Sequence, residues 1–198
     1  MKPDFWNERY AENSSAYGIL PNEFFKEKLD KLSPGSLLLP AEGEGRNAIY
    51  ALKKGWNVHA FDFSISARQK AMLLAKDQNV RLEYEVVNAL TFDSPKTYDL
   101  IALIYAHFPS NIRKEVHRRI LGFLKPGGKI IFEAFSKAQL GKPSGGPRHL
   151  DMLFSIEDIK REFKGLNFDL LEEKHIVLNE GRYHQGDASV LRFTAHRQ

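Results

Sequence analysis

Between residues 33 and 135, short apolar or β-branched runs alternate with stretches of helical periodicity, and few folds satisfy that rhythm. A strand that reaches its parallel neighbour through a helix belongs to a sheet with helices on both faces. The strand-like runs are residues 36–39, 57–61, 81–87, 98–105 and 129–135, and the helical stretches are 46–54, 65–76 and 111–124. Ala67, Ala71, Leu74 and Ala75 recur on one helical face, Gly55 closes the first helix, and Pro126-Gly127-Gly128 reverses the chain before the last run. Residues 100–106 are wholly apolar. At seven residues they fall far short of the roughly 20 that a membrane-spanning helix requires, and they read as a central strand covered on both faces.

After residue 135 the pattern changes. Gly141, Pro143, Gly145, Gly146 and Pro147 make residues 136–150 a long loop, of the length that often carries function. A helix follows over 155–163, with Ser155 as its N-cap and Asp158 at its third position. Two strand-like runs, 169–178 and 188–196, are joined by 179–187, which holds Gly181 and Gly186, and they pair antiparallel. The expected fold class is therefore α/β, a doubly wound sheet that is mostly parallel with an antiparallel hairpin at one edge. The expected organisation is one domain over 1–198. Residues 1–32 form a helical cap carrying Trp6, Tyr10, Tyr17, Phe24 and Phe25, residues 33–135 the ligand-binding core, and residues 136–198 the loop, helix and hairpin.

Composition narrows the chemistry. The chain has 198 residues and no cysteine, which excludes disulfide scaffolds, Cys-ligated zinc and cysteine nucleophiles, and points to a reducing, cytoplasmic location. The N-terminal segment has no apolar h-region of a secretory signal. Seven histidines are scattered without HExxH spacing, so no metal site is expected. The net charge of +4 is spread over separate elements, which argues against a nucleic-acid partner and leaves a membrane partner unsupported.

Gly43-Glu44-Gly45-Arg46-Asn47-Ala48 fits G-x-G-x-x-A between a strand and a helix, and Asp62 ends the next strand nineteen residues beyond Gly43. Glycines at 43 and 45 let the backbone approach a ligand, the helix N-terminus offers unpaired N–H groups, and Asp62 can accept hydrogen bonds from two ribose hydroxyls. This is the Rossmann-like arrangement for an adenosine-containing cofactor. Such a ligand next meets Asn88, Ala89 and Leu90 at the end of the third strand, and Ile104 and Tyr105 at the end of the fourth. Asn88 is equally readable as a turn residue, and Ile104 and Tyr105 as plain core strand. His107 is the best-placed general base, with an ordinary pKa near 6.5. Arg148 and His149 in the long loop, with Arg182 and His184 in the late hairpin, either converge on an anionic acceptor or belong to two solvated loops.

The glycine loop alone does not separate nicotinamide enzymes from S-adenosylmethionine (SAM) enzymes. The sole Tyr-x-x-x-Lys pair, Tyr50 and Lys54, lies on the first helix, the wrong place for hydride transfer in an NAD(P)-dependent oxidoreductase. A nucleic-acid methyltransferase would usually show N-P-P-Y or D-P-P-Y where this chain has Ile104-Tyr105-Ala106-His107. A noncatalytic interaction protein is the third alternative, against which the intact Gly43, Gly45 and Asp62 argue.

As a whole, the chain resembles the class I SAM-dependent methyltransferases. LLLPAEGEGRNA, from Leu37 to Ala48, is similar to their glycine-rich motif; Asp62-Phe63-Ser64 followed by Lys70-Ala71 is similar to their D-x-S…K-A segment; Tyr98-Asp99-Leu100-Ile101 and Leu124-Lys125-Pro126-Gly127-Gly128 match their fourth strand and L-K-P-G-G turn. Trp6, Arg9-Tyr10, Tyr17-Gly18 and Pro21-Asn22 resemble the tellurite-resistance and thiopurine methyltransferase-like branch. The resemblance implies SAM as cofactor and adds Ala41, Glu42, Asn47, Phe63 and Ser64 to its contacts. It also places Tyr10 and Tyr17 around a small-molecule acceptor such as a thiol, selenium or tellurium compound, in the pocket to which the two loops offer Arg148 and His184. Two positions depart from the pattern. Leu39 stands where many members carry an acid, with Glu42 the nearby carboxylate, and Asn88 stands where aspartate is common.

Overall fold

A computed structural model describes residues 3–12 and 14–198; positions 1, 2 and 13 of the expected cap lie outside the described residues. Seven strands form one sheet in the order β3-β2-β1-β4-β5-β7-β6. They are β1 (Ser36–Pro40), β2 (Asn57–Asp62), β3 (Glu83–Val86), β4 (Tyr98–Ile104), β5 (Leu124–Phe135), β6 (Leu166–Glu180) and β7 (His184–Arg197). The first five run parallel, β7 is antiparallel to β5, and β6 is antiparallel to β7. The helices are α1 (Pro3–Ala11), α2 (Glu23–Leu29), α3 (Arg46–Lys53), α4 (Ile65–Asp77), α5 (Ser110–Gly122) and α6 (Ile156–Glu162).

The expected α/β class is thus observed, and the physical reason lies in burial. In β4, Leu100 to Leu103 are each about 1% exposed or less, because one face packs with α3 and α4 and the other with α5 and α6. Ser155 and Asp158 form a reciprocal capping box that starts α6, as the sequence indicates. Order reverses between β1 and β4, so the chain diverges there to opposite sides and leaves a crevice at the carboxyl ends of the strands.

Three boundaries differ from the sequence reading. Residues 126–128 lie inside β5, whose ladder starts at Leu124 opposite Tyr98. The hairpin connection is residues 181–183 and not 179–187, because Asn179 and Gly186 both remain in the ladder. The long loop carries two short 3-10 turns, Lys137–Gln139 and Leu150–Met152.

Gly45 sets the distance between α3 and α4. Its φ is +85°, and a Cβ there would lie 2.8 Å from the Cβ of Ala71. Gly45→Ala should therefore cost about 2–4 kcal/mol, from left-handed backbone strain plus overpacking, read as a lowered urea midpoint at unchanged slope.

Candidate cofactor cleft

The site forms where β1, β2 and β4 end. Ala41 leaves β1 with φ +51° and Gly43 turns with φ +64°, and the loop then enters α3. Asp62, 4% exposed, closes β2. Its Oδ2 accepts the Gly43 N–H at 3.1 Å and its Oδ1 accepts the Ser64 N–H at 2.9 Å. Burial pushes the Asp62 carboxyl up to about 6, against the pull of these N–H donors. Tyr84 donates its hydroxyl to the Gly43 carbonyl at 2.7 Å, so the loop is held from both sides.

A cavity of about 150 Å³ opens beside Asp62. Of the residues expected to touch cofactor, Ala41, Asp62, Phe63, Asn88, Ala89 and Tyr105 line it, as do His107 and Tyr10. Its remaining wall is apolar, with Phe61, Phe108, Ile112 and Val116 on one side and Trp6 on the other. Sequence reasoning misses most of this wall, since a buried Phe or Val carries no signal separating cavity lining from core. A second depression, of about 310 Å³ and bordered by Gly35, Ser36 and Trp56, lies at the amino ends of β1 and β2, away from the glycine loop.

Several expected contacts are placed differently. Asn88 forms an Asx turn, its Oδ1 accepting the Leu90 N–H at 2.9 Å, so the turn role holds while the side chain borders the cavity; Leu90 itself stands outside the lining. Ile104 is packed in the core, 9% exposed. Ser64 caps α4, accepting from Ala67 and donating to Asn7 Oδ1 at 2.7 Å. Glu42 is half-buried and accepts the Ala48 N–H at 2.7 Å, so its carboxylate sits on the first turn of α3; burial pushes it up to about 7. Leu39 is core, 1% exposed.

Asn47 faces away from the cavity and binds the N-terminal segment, its Oδ1 accepting the Asn22 N–H at 2.9 Å. Two neighbours in the glycine string do the same. Glu44 accepts the Ala16 N–H at 2.8 Å and pairs with Lys70, and Arg46 donates to the Tyr17 carbonyl at 2.9 Å and to Glu180 at 3.0 Å. Residues 16–22 are thereby strapped over the loop.

The acceptor side does not assemble as expected. Arg148 and His149 are exposed, and Arg182 is exposed and pairs with Glu12. His184 is buried, 3.1 Å from Glu180, with its ring 4.5 Å from Tyr17 and 4.6 Å from Tyr105. Burial lowers its pKa despite Glu180. Tyr105 has φ +52°, and among the described residues its buried hydroxyl meets no hydrogen-bond partner.

His107, the candidate base, borders the cavity with its ring held between two backbone groups. Its Nδ1 lies 2.8 Å from the Met152 carbonyl, which makes it the donor, and its Nε2 accepts the Phe135 N–H at 3.3 Å. Both nitrogens are engaged, and burial lowers the pKa to about 4. The unfolded chain therefore takes up a proton near pH 6.5 that the folded one refuses until about 4, so stability falls as pH drops through that window. We expect His107 to contribute up to about 3 kcal/mol of this loss, and His107→Gln should flatten the stability profile between pH 6.5 and 4.

Among the described residues there is no cluster able to hold a metal ion, and no helix long and apolar enough to cross a membrane.

The geometry has counterparts among known proteins. Residues 40–128 match the family model described as Methyltransferase domain. Among solved structures, TehB from Haemophilus influenzae superposes with TM-score 0.75 at 14% identity, over 99% of this chain and 67% of that one. A structure reported for conversion of a disulfide bond into a thioacetal group during echinomycin biosynthesis superposes with TM-score 0.77 at 16% identity, over 98% and 89%. The N-methyltransferase NodS from Bradyrhizobium japonicum WM9 in complex with S-adenosyl-L-homocysteine does so with TM-score 0.67 at 14% identity, over 97% of each chain. No curated protein matches the chain. The glycine loop and Asp62 meet at the β1/β4 crevice within the residues that match the methyltransferase-domain model, and the chain shares the fold of these solved methyltransferases.

Proposed function

We propose that this protein is a cytoplasmic, single-domain enzyme that transfers the SAM methyl group to a small-molecule acceptor whose nucleophile is soft, a thiol, selenium or tellurium compound. The observation that supports the reading is that His107, the best-placed base, has both ring nitrogens bound to backbone. A thiolate or its selenium analogue attacks the methyl carbon without one. The new S–C or Se–C bond forms as the sulfonium–methyl bond breaks, its electron pair returns to sulfur, and neutral S-adenosylhomocysteine leaves. The enzyme's contribution is then proximity and in-line alignment. The disulfide-to-thioacetal conversion of the echinomycin-related structure is sulfur chemistry and supports the same class, while NodS, an N-methyltransferase, speaks for nitrogen.

In this reading Asp62 receives the ribose hydroxyls, the edge at Asn88 and Ala89 faces adenine, and the wall of Phe61, Phe108 and Ile112 covers the ring. Calorimetric titration with S-adenosylhomocysteine and, in parallel, NADH tests the cofactor. Micromolar binding of the former alone supports the reading, whereas binding of NADH alone overturns it. Radiolabelled SAM offered with a panel of alkyl and aryl thiols, selenite, tellurite and primary amines tests the acceptor. Labelling confined to the amines would overturn the soft-nucleophile class.

A further inference from the structure

We propose that α1 is an autoinhibitory plug in the cofactor cleft, with the Tyr10 side chain occupying ground that the cofactor must take; this rests on reading the cleft as the SAM site. Three observations converge on Tyr10. First, the space above Gly43 that its missing side chain leaves open is already filled: a Cβ built on Gly43 would lie 2.8 Å from the Tyr10 hydroxyl oxygen. Second, Tyr10 is buried, 6% exposed, and lines the cavity beside Asp62, whose two oxygens hold the Gly43 and Ser64 N–H groups and keep lone pairs for further donors. Third, the remaining cavity of about 150 Å³ is roughly half the lower limit of 300 Å³ typical of small-molecule sites.

Enlarging the cavity at Ala41 and Phe61 would mean breaking the sheet, since they belong to the extension of β1 and to β2, and enlarging it at Ile112 and Val116 would mean shifting the thirteen-residue α5, whose Val116 is fully buried in the core. Moving α1 breaks less. The helix has nine residues, too few to be stable alone, and it rests on α4 through Trp6 and Tyr10, whose rings stack at 5.4 Å, packed near Ala67. Its polar ties include Asn7 to Ser64 at 2.7 Å and Arg9 to the Tyr17 hydroxyl at 3.2 Å, and Glu12, just beyond the helix, pairs with Arg182 at 3.2 Å and with Tyr183. The strap of residues 16–22 stays anchored by Glu44, Arg46 and Asn47 while α1 moves.

A plug lowers apparent affinity by the fraction of open molecules, so removing it tightens binding. Tyr10→Ala should bind S-adenosylhomocysteine about ten-fold more tightly than wild type, and Tyr10→Phe, which keeps the ring in place, should stay within about two-fold. In the unmodified protein, S-adenosylhomocysteine should change tryptophan emission through Trp6, a change that Trp6→Phe abolishes, because Trp56 lies at the opposite end of the strands. Weaker or equal binding by Tyr10→Ala, with the wild type binding normally, would overturn the plug and make Tyr10 part of the ligand wall. Unchanged emission on saturation would overturn it as well. Failure of both proteins to bind would instead remove the SAM reading, and the plug with it.

Discussion

Glu133→Ala is expected to destabilise the protein by about 3–5 kcal/mol, the range for breaking a buried ion pair from one side. Glu133 is 0% exposed on β5 and meets Arg192 of β7 through one oxygen and the Asn22 side-chain amide through the other, at 2.6 Å. Its removal leaves the Arg192 guanidinium largely buried, facing the Phe24 ring at 5.0 Å, and takes from the Asn22 amide its shorter hydrogen bond. The cost is that of an uncompensated charge and not the worth of the pair. The paired replacement Glu133→Leu with Arg192→Met should therefore recover most of the loss. Chemical denaturation of both single variants and the double variant measures the coupling. A double variant as unstable as the sum of the singles would show that the network does more than satisfy itself.

That network marks the limit of what is legible in the sequence. The parallel strands are readable because β1, β4 and the core of β5 are local apolar runs and β3 alternates around Tyr84, and the glycine string because it meets a strand end and a helix start within six residues. The partners of Glu44, Arg46 and Asn47 are not, since Ala16, Tyr17, Glu180 and Asn22 lie 25 to 134 residues away and no local pattern announces them. The same holds for His107, whose fate is decided by a carbonyl 45 residues downstream in the long loop. The hairpin connection departs from expectation for a different reason. Gly186, with φ +96°, looks like a turn residue, yet it remains in the ladder opposite Leu178, with Ser144 beside it. β6 runs past the expected 169–178 at both ends because its ladder with β7 continues through Asn167 and Asn179, polar residues that interrupt the local apolar pattern.

Asp62→Ala should weaken S-adenosylhomocysteine binding roughly ten- to a hundred-fold, the loss of a charge-assisted hydrogen bond of about 1.5 to 3 kcal/mol. The same substitution should not carry a matching stability loss. Asp62 has a folded-state pKa raised to about 6 from 3.8, so at neutral pH its charge is held at a cost to the fold, which the two backbone N–H bonds offset in part. A residue that weakens the fold by being ionised and strengthens ligand binding by the same charge is separable from a structural one. In calorimetry against pH, wild-type affinity should fall as pH drops through about 6, where the carboxylate takes up its proton, and the Asp62→Ala affinity should be flat over that range. Asp62→Asn supplies the control, because it keeps the shape and one acceptor while removing the titration. If wild type and Asp62→Asn show the same pH dependence, the acid acts on the Gly43 turn and not on the ligand.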